Sequence, residues 1–442
     1  MRKALSTSSG RAGLAIFTIF ILLTEFASAC QPPAKPTESV APPPQVEPVK
    51  PETPLPTLSS TPTAEPSQPP AQTQPAQPAQ PAAAQPKIMA SSAEAKFPSQ
   101  LIFRIQAAGN VNITDIRLHY TVDMERFARV TSESYVDFTP GTTIDTQWVW
   151  DMRKTGGLPT GATIEYWWTV KDDAGNKAET APAKINFDDN RYTWQSLTEN
   201  KVTLYWYRGS QAFAQELMAA AQQAMVRLSE TTGAALKNPV KLYIYANSED
   251  LQGAMIFPQE WTGGVAFTEF GIITLGIDTN NLDWGKRSIA HELTHLVVHQ
   301  MTFNPYIQLP TWLNEGLSMY NEGQLEANFV SYLKLAVANN ILISARSLSS
   351  PFSANSNQSY LSYAESYSLV EYLVTTYGQS KMLELLNTFS RGSSYDGALK
   401  KVYGFDMDGL NTLWRDYANK KYGKGGQTTA LPSSIRTGSW GI

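Results

Sequence analysis

Apolar and polar positions alternate with period two from about residue 97. Runs at 101–105, 116–122, 144–150 and 164–170 carry strand composition, and turn residues separate them. The turn Asp172-Asp-Ala-Gly-Asn176 leads to a last run at 184–187. Several short strands at this spacing predict a β-sandwich over 97–190. From about residue 193 the pattern mixes. Strands are expected at 202–207 and 240–245, with a helix at 210–230 ending near Gly233, and a strand pair at 264–267 and 272–277 flanks Gly271.

After that the period is helical. Ile289, Leu293, Leu296 and Val297 mark the packing face of one helix, with Asp283 as its N-cap. Pro310 and Thr311 start the next. Further helical runs at 324–339, 361–377, 379–389 and 408–417 are broken by Gly378, Gly392 and Gly404. The expected class is therefore α+β: a β-sandwich, then a small sheet with a mostly helical C-terminal part over 193–422, and a flexible tail at 423–442. In pattern alone the sandwich resembles an immunoglobulin- or fibronectin-like module.

The two ends lack any packing period. Arg2, Lys3 and Arg11 precede or flank the apolar run 14–23, which is too short to span a bilayer and ends at Ala27-Ser-Ala-Cys30. Residues 1–29 read as a secretory signal. Residues 30–96 read as a disordered linker rich in Pro, Ala and Gln. Cys30 is the only cysteine, so no internal disulfide can form. Its position resembles the acylated cysteine of a bacterial lipoprotein, which implies a lipid anchor to the membrane and an extracytoplasmic location. Ala27, standing where such signals usually carry Leu, Val or Ile, keeps plain secretion open. A net charge of −4 with no basic block argues against a nucleic-acid partner.

The chemistry gathers in one stretch, 291–299, which holds three of the four histidines. His291, Glu292 and His295 spell H-E-x-x-H. On a helix, residues four apart stand on one face, so both imidazoles can reach a single ion. Glu292 then lies beside that ion, where it can take a proton from water. Glu315 falls in the first turns of the following helix. Two histidines and a glutamate, with a fourth position left to water, make a catalytic zinc set.

The segment H-E-L-T-H at 291–295, followed by T-W-L-N-E-G-L-S at 311–318, resembles the gluzincin zinc metallopeptidases, most of all their peptidase MA-like branch. The resemblance runs from about Val202 to Ala418. It implies a thermolysin-like fold, a peptide or protein substrate, and Zn2+ held by His291, His295 and Glu315 with Glu292 as general base. It also implies an oxyanion donor on a later helix, with Tyr363 first and Tyr367 second, and an edge strand at 263–268 that binds substrate backbone by strand addition.

Some readings stay open. Glu322, in the echo Asn321-Glu-Gly323, is a rival ligand to Glu315. His299 is expected to support or pack rather than ligate. Many relatives carry an acid four positions after the ligand glutamate; Met319 stands there, so Asp283, Asn314 or a backbone carbonyl must orient the histidines. That departure also leaves a second reading, a non-catalytic cell-envelope binding or scaffold protein. His119 reads as a half-buried structural histidine. The aromatic residues Trp148, Trp150, Tyr166, Trp167 and Trp168 read as sandwich core, with a glycan-stacking face as the alternative.

Overall fold

The computed structural model describes residues 85–258 and 262–423, which fall in one compact unit. The expected signal segment, most of the linker, the Cys30 anchor and the tail beyond 423 lie outside the described residues. Among the described residues no helix is long and apolar enough to cross a membrane.

The N-terminal sheet has seven strands: β1 (Lys87–Lys96), β2 (Gln100–Val122), β3 (Ser132–Tyr135), β4 (Gly141–Asp151), β5 (Ala162–Asp172), β6 (Lys177–Glu179) and β7 (Ala183–Phe187). It does not confirm the expected immunoglobulin-like sandwich, since all seven strands are linked in one sheet through β2. The two strands predicted at 101–105 and 116–122 are one strand, β2, whose first half pairs with β1 and β4 and whose second half pairs with β3 and β5. Its buried positions shift phase from Leu101, Phe103 and Ile105 to Ile116 and Leu118, and a register break between Ile113 and Asp115 absorbs the extra residue. A turn is expected between these two runs, yet the strand passes through the polar Gly109-Asn110. β1 falls inside the stretch read as linker. Its side chains are mostly exposed Lys, Ser, Ala and Glu, so no apolar alternation betrays it.

The second sheet runs β11 (Gly264–Phe267), β12 (Ile272–Gly276), β10 (Val240–Tyr245), β9 (Val202–Trp206), β8 (Gln195–Glu199). The three central strands are parallel, and β11 and β8 are antiparallel edges. Both faces are covered. Leu204, Trp206, Leu242, Ile244 and Leu275 pack on helices, whereas Tyr243, Tyr245 and Ile272 join the core of the N-terminal sheet. The two sheets thus share one hydrophobic core, and the domain boundary expected at 190–193 does not interrupt it.

Helices α1 (Gln211–Thr232), α2 (Ser248–Gln252), α3 (Leu282–Thr302), α4 (Thr311–Glu322), α5 (Ala327–Ala338), α6 (Ser356–Tyr377), α7 (Gln379–Phe389), α8 (Tyr395–Tyr403) and α9 (Met407–Tyr422) complete the fold. Ser210 caps α1 by accepting from Phe213 N, and Gly233 ends it in the left-handed conformation. The N-cap of α3 is Asn281 rather than Asp283, which sits in the first turn where its charge favours the helix dipole. From α4 onward the helices bury Trp312, Leu317, Leu369, Leu386 and Trp414 in one core.

Candidate metal centre

α3 lies between the second sheet and α4. Its 3.6-residue period buries Ile289, Leu293 and Leu296 against the sheet and turns His291 and His295 toward α4. The two imidazoles stand one turn apart, ring centroids 4.9 Å from each other. α4 starts at Thr311, directly after Pro310, whose fixed φ suits a helix start. Trp312, Leu313 and Leu317 anchor α4 in the helical core and leave Glu315 facing α3. Gly316 permits the close approach of α6 behind it: a Cβ there would stand 2.3 Å from the Ser366 carbonyl oxygen.

The structure brings the predicted residues together. Glu315 Oε2 is 3.6 Å from His291 Nε2 and 3.7 Å from His295 Nε2. All three side chains are buried, and ligand atoms from each lie within 4.8 Å of one another. Tetrahedral ligands about 2 Å from zinc stand roughly 3.3 Å apart, so the separations suit one ion.

The outer nitrogens are committed elsewhere. His291 Nδ1 meets Glu322 Oε1 at 2.6 Å. His295 Nδ1 lies 3.1 Å from Asn314 Oδ1 and 3.3 Å from Ser318 Oγ. Each ring therefore aims Nε2 inward. His291 Nε2, His295 Nε2 and Glu315 Oε2 are buried polar atoms without a hydrogen-bond partner, as is Glu292 Oε2. Unpartnered buried polar atoms are costly and rare. Three of them converging from ligand-type residues fit a cation, and the fourth belongs to the acid next to His291 in the chain.

The charges agree. Burial alone would lower the pKa of His291, but the neighbouring Glu315 and Glu322 carboxylates outweigh it and carry the group to about 10, so the pocket is strongly anionic. Burial dominates at His295 and lowers it. Burial also pushes Glu292 up; His291 opposes it, Glu315 and Glu322 add to it, and the carboxyl comes to about 7. A carboxylate poised near neutrality can both take and return a proton.

Glu322, read as a rival ligand, instead orients His291 from behind. It lies seven residues past Glu315, two turns along the same face of α4, and supplies the acid that Met319 does not. Met319 itself is buried in the helical core. Asn314 orients His295 as one of the expected options, and Asp283 does neither task. The pairing of Glu322 with His291 was missed, although its spacing from Glu315 was visible in the sequence.

His299 sits one turn beyond His295, its ring against Phe303, with Nε2 3.6 Å from Glu125 Oε2; burial lowers its pKa to about 4. Tyr363 lies edge-on to Phe352, and Tyr367 lies against Tyr320. Burial raises Tyr367 to about 12, with Glu371 and Tyr320 adding to it and the Leu325 backbone opposing. β11 forms the sheet edge next to the site, with the Glu292 carboxylate packed under Gly264. His119 is tied to Thr169 Oγ1 at 2.9 Å and stacked on Trp167; Trp150, Tyr166 and Trp168 are core residues.

No curated protein matches this chain. Among solved structures, it is similar to Legionella pneumophila aminopeptidase A at 10% identity, over 75% of this chain and 51% of that one, with a TM-score of 0.35. It is similar to an M1 zinc metallopeptidase from Deinococcus radiodurans at 10% identity, over 76% and 93%, with a TM-score of 0.31. A carbohydrate-binding module family 56 β-1,3-glucan binding domain is similar at 17% identity over 22% of this chain and 96% of its own, TM-score 0.15. The family model described as Peptidase MA superfamily matches residues 220–420. That matched segment contains both motifs and every residue of the candidate metal cluster.

Proposed function

We propose that this chain is an extracytoplasmic zinc-dependent peptidase. The observation that carries the reading is the convergence of His291 Nε2, His295 Nε2 and Glu315 Oε2, all buried and unpartnered, beside the unpartnered Oε2 of Glu292. His291, His295 and Glu315 would hold the ion. Zinc at such a site supplies a Lewis acid for the scissile carbonyl and a water acidic enough to attack near neutral pH.

The protein's own residues do the rest. Glu292 accepts the proton of the attacking water at Oε2 and returns it to the leaving amine. Glu322 and Asn314 keep each Nε2 lone pair directed inward. β11 offers a sheet edge for an extended peptide, which would lie along the cleft by strand addition. Within this reading Tyr363 is the first choice of oxyanion donor and Tyr367 the second. Residues 1–29 export the chain, and a diacylglyceryl group on Cys30 anchors it; the mass of the N-terminal peptide from a membrane fraction tests that step.

The deciding experiment compares Glu292→Gln and His291→Ala with the unaltered protein for zinc content and peptide cleavage. Glu292→Gln should keep zinc and lose cleavage by about 100-fold or more, and His291→Ala should lose both. A protein that binds zinc yet cleaves no member of a peptide library would instead support the non-catalytic scaffold. Undiminished cleavage by Glu292→Gln would overturn the mechanism.

A further inference from the structure

Arg287 and His291 lie one turn apart on α3, so their side chains share a face. The Glu322 carboxylate, from the last turn of α4, spans both of them. Its Oε1 meets His291 Nδ1 at 2.6 Å, and its Oε2 accepts from Arg287 Nη2 at 3.1 Å. Arg287 Nη1 in turn reaches Glu326 Oε1, 2.7 Å away at the start of α5. Side-chain exposure rises outward along this chain of contacts: 1% at His291, 3% at Glu322, 30% at Arg287 and 46% at Glu326. An open groove of about 740 Å³, lined by Arg287, Glu322, Leu325, Glu326 and Val330, lies outside it.

We infer that Arg287 is a positioning residue for the metal centre, acting on the ion only through Glu322 and His291. The inference rests on the zinc reading above. A buried carboxylate with a single partner can rotate about its last bond, and it bears an unrelieved charge. The guanidinium occupies one oxygen with a charge-assisted bond and so fixes the carboxylate plane. Oε1 is then left to accept from His291, which keeps the ring proton on Nδ1 and the Nε2 lone pair turned inward. The acid that relatives carry one turn beyond the ligand glutamate would lie close to its histidine. Glu322 reaches from a turn further on, and the arginine at 287 holds it there.

The test is a double-mutant cycle on metal affinity in the full chain. Zinc dissociation constants would be read by competition with a chromophoric chelator, and ligand geometry by the visible absorption of the Co2+ form. Thermal unfolding of each metal-free variant would be recorded separately. Arg287→Met is expected to weaken zinc binding about tenfold, and Glu322→Gln by about 10- to 100-fold. In the Glu322→Gln background, Arg287→Met should cost no more than a further twofold, because its route to the ion is already cut. Arg287→Lys should fall between the parent and Arg287→Met.

Zinc affinity of Arg287→Met within twofold of the parent would overturn the inference. So would a tenfold loss repeated in full in the Glu322→Gln background. If Arg287→Met does not fold, Arg287→Lys with and without Glu322→Gln closes the same cycle with the same criteria. A parent protein that takes up no zinc refutes the zinc reading itself; one that takes it up with Arg287→Met unchanged refutes only the positioning role.

Discussion

Gly264, the first residue of the edge strand β11, lies directly over the Glu292 carboxylate. A Cβ built there would stand 3.1 Å from Glu292 Oε1 and 2.5 Å from Leu275 Cδ2. The Glu292 carboxylate therefore lies in a slot whose roof leaves little room for a side chain. Gly264→Ala should displace Glu292 while leaving the two histidines and Glu315 where they are. Expected are a fall in kcat of at least tenfold, unchanged zinc content, and a stability loss of about 1–3 kcal/mol from overpacking. Parallel measurement of cleavage rate and metal content checks this, and a fully active variant would refute the contact.

Chelation should destabilise the protein. The anionic pocket of Glu292, Glu315 and Glu322 carries charge that a cation would offset, and a ligand bound only by the folded state adds stability in proportion to its occupancy. At zinc 100-fold above its dissociation constant the gain is about 2.7 kcal/mol. Tm measured with and without chelator should drop in the parent and stay constant in His295→Ala. An unchanged Tm in the parent would argue against a resident ion.

The metal cluster was legible from spacing because a helix turns chemistry into arithmetic: His291 and His295 are four apart, and a helix start at Pro310 brings Glu315 round to meet them. Glu322 obeys the same arithmetic, at 315 plus seven, but nothing local distinguished an orienting acid from a rival ligand. Arg287 and Gly264 were invisible for a different reason. Their roles come from packing against residues 35 and 28 positions away, and periodicity carries no information about such contacts. In the N-terminal half the strands were legible by alternation where one face is buried. Alternation carries no signal at exposed β1, and at the bend in β2 tertiary pairing overrides a local turn signal.

The shared core between the two sheets has its own test at Asp189. Its carboxylate is fully buried, accepts from Arg191 Nη2 at 2.7 Å and from the Tyr245 hydroxyl at 3.0 Å, and Arg191 reaches on to the Gly253 carbonyl. Asp189→Ala strips a guanidinium of its partner. Because that guanidinium keeps about a third of its exposure, the loss should sit at the lower end for a broken buried pair, about 3 kcal/mol. Denaturant unfolding of the two sheets should remain a single transition for parent and variant, since they share one buried cluster. Two separated transitions in the parent would show that the halves fold independently.

Glu365 supplies a pH dependence outside the cluster of His291, His295 and Glu315. Its carboxyl is wholly buried in α6 and accepts from the Ile343 amide. Burial raises its pKa well above the ordinary glutamate value of 4.5, with the Ile343 hydrogen bond and Arg415 opposing only in part. The folded state then binds a proton that the unfolded state releases, so this group's contribution is intact below pH 4.5 and is lost as pH rises toward the folded pKa. Glu365→Gln retains an acceptor for Ile343 and has no proton to lose. The variant's Tm relative to the parent should therefore increase steadily from pH 5 to pH 8. A difference that is constant with pH, or that shrinks, would mean that Glu365 is ionised in the fold and that Arg415 compensates it fully.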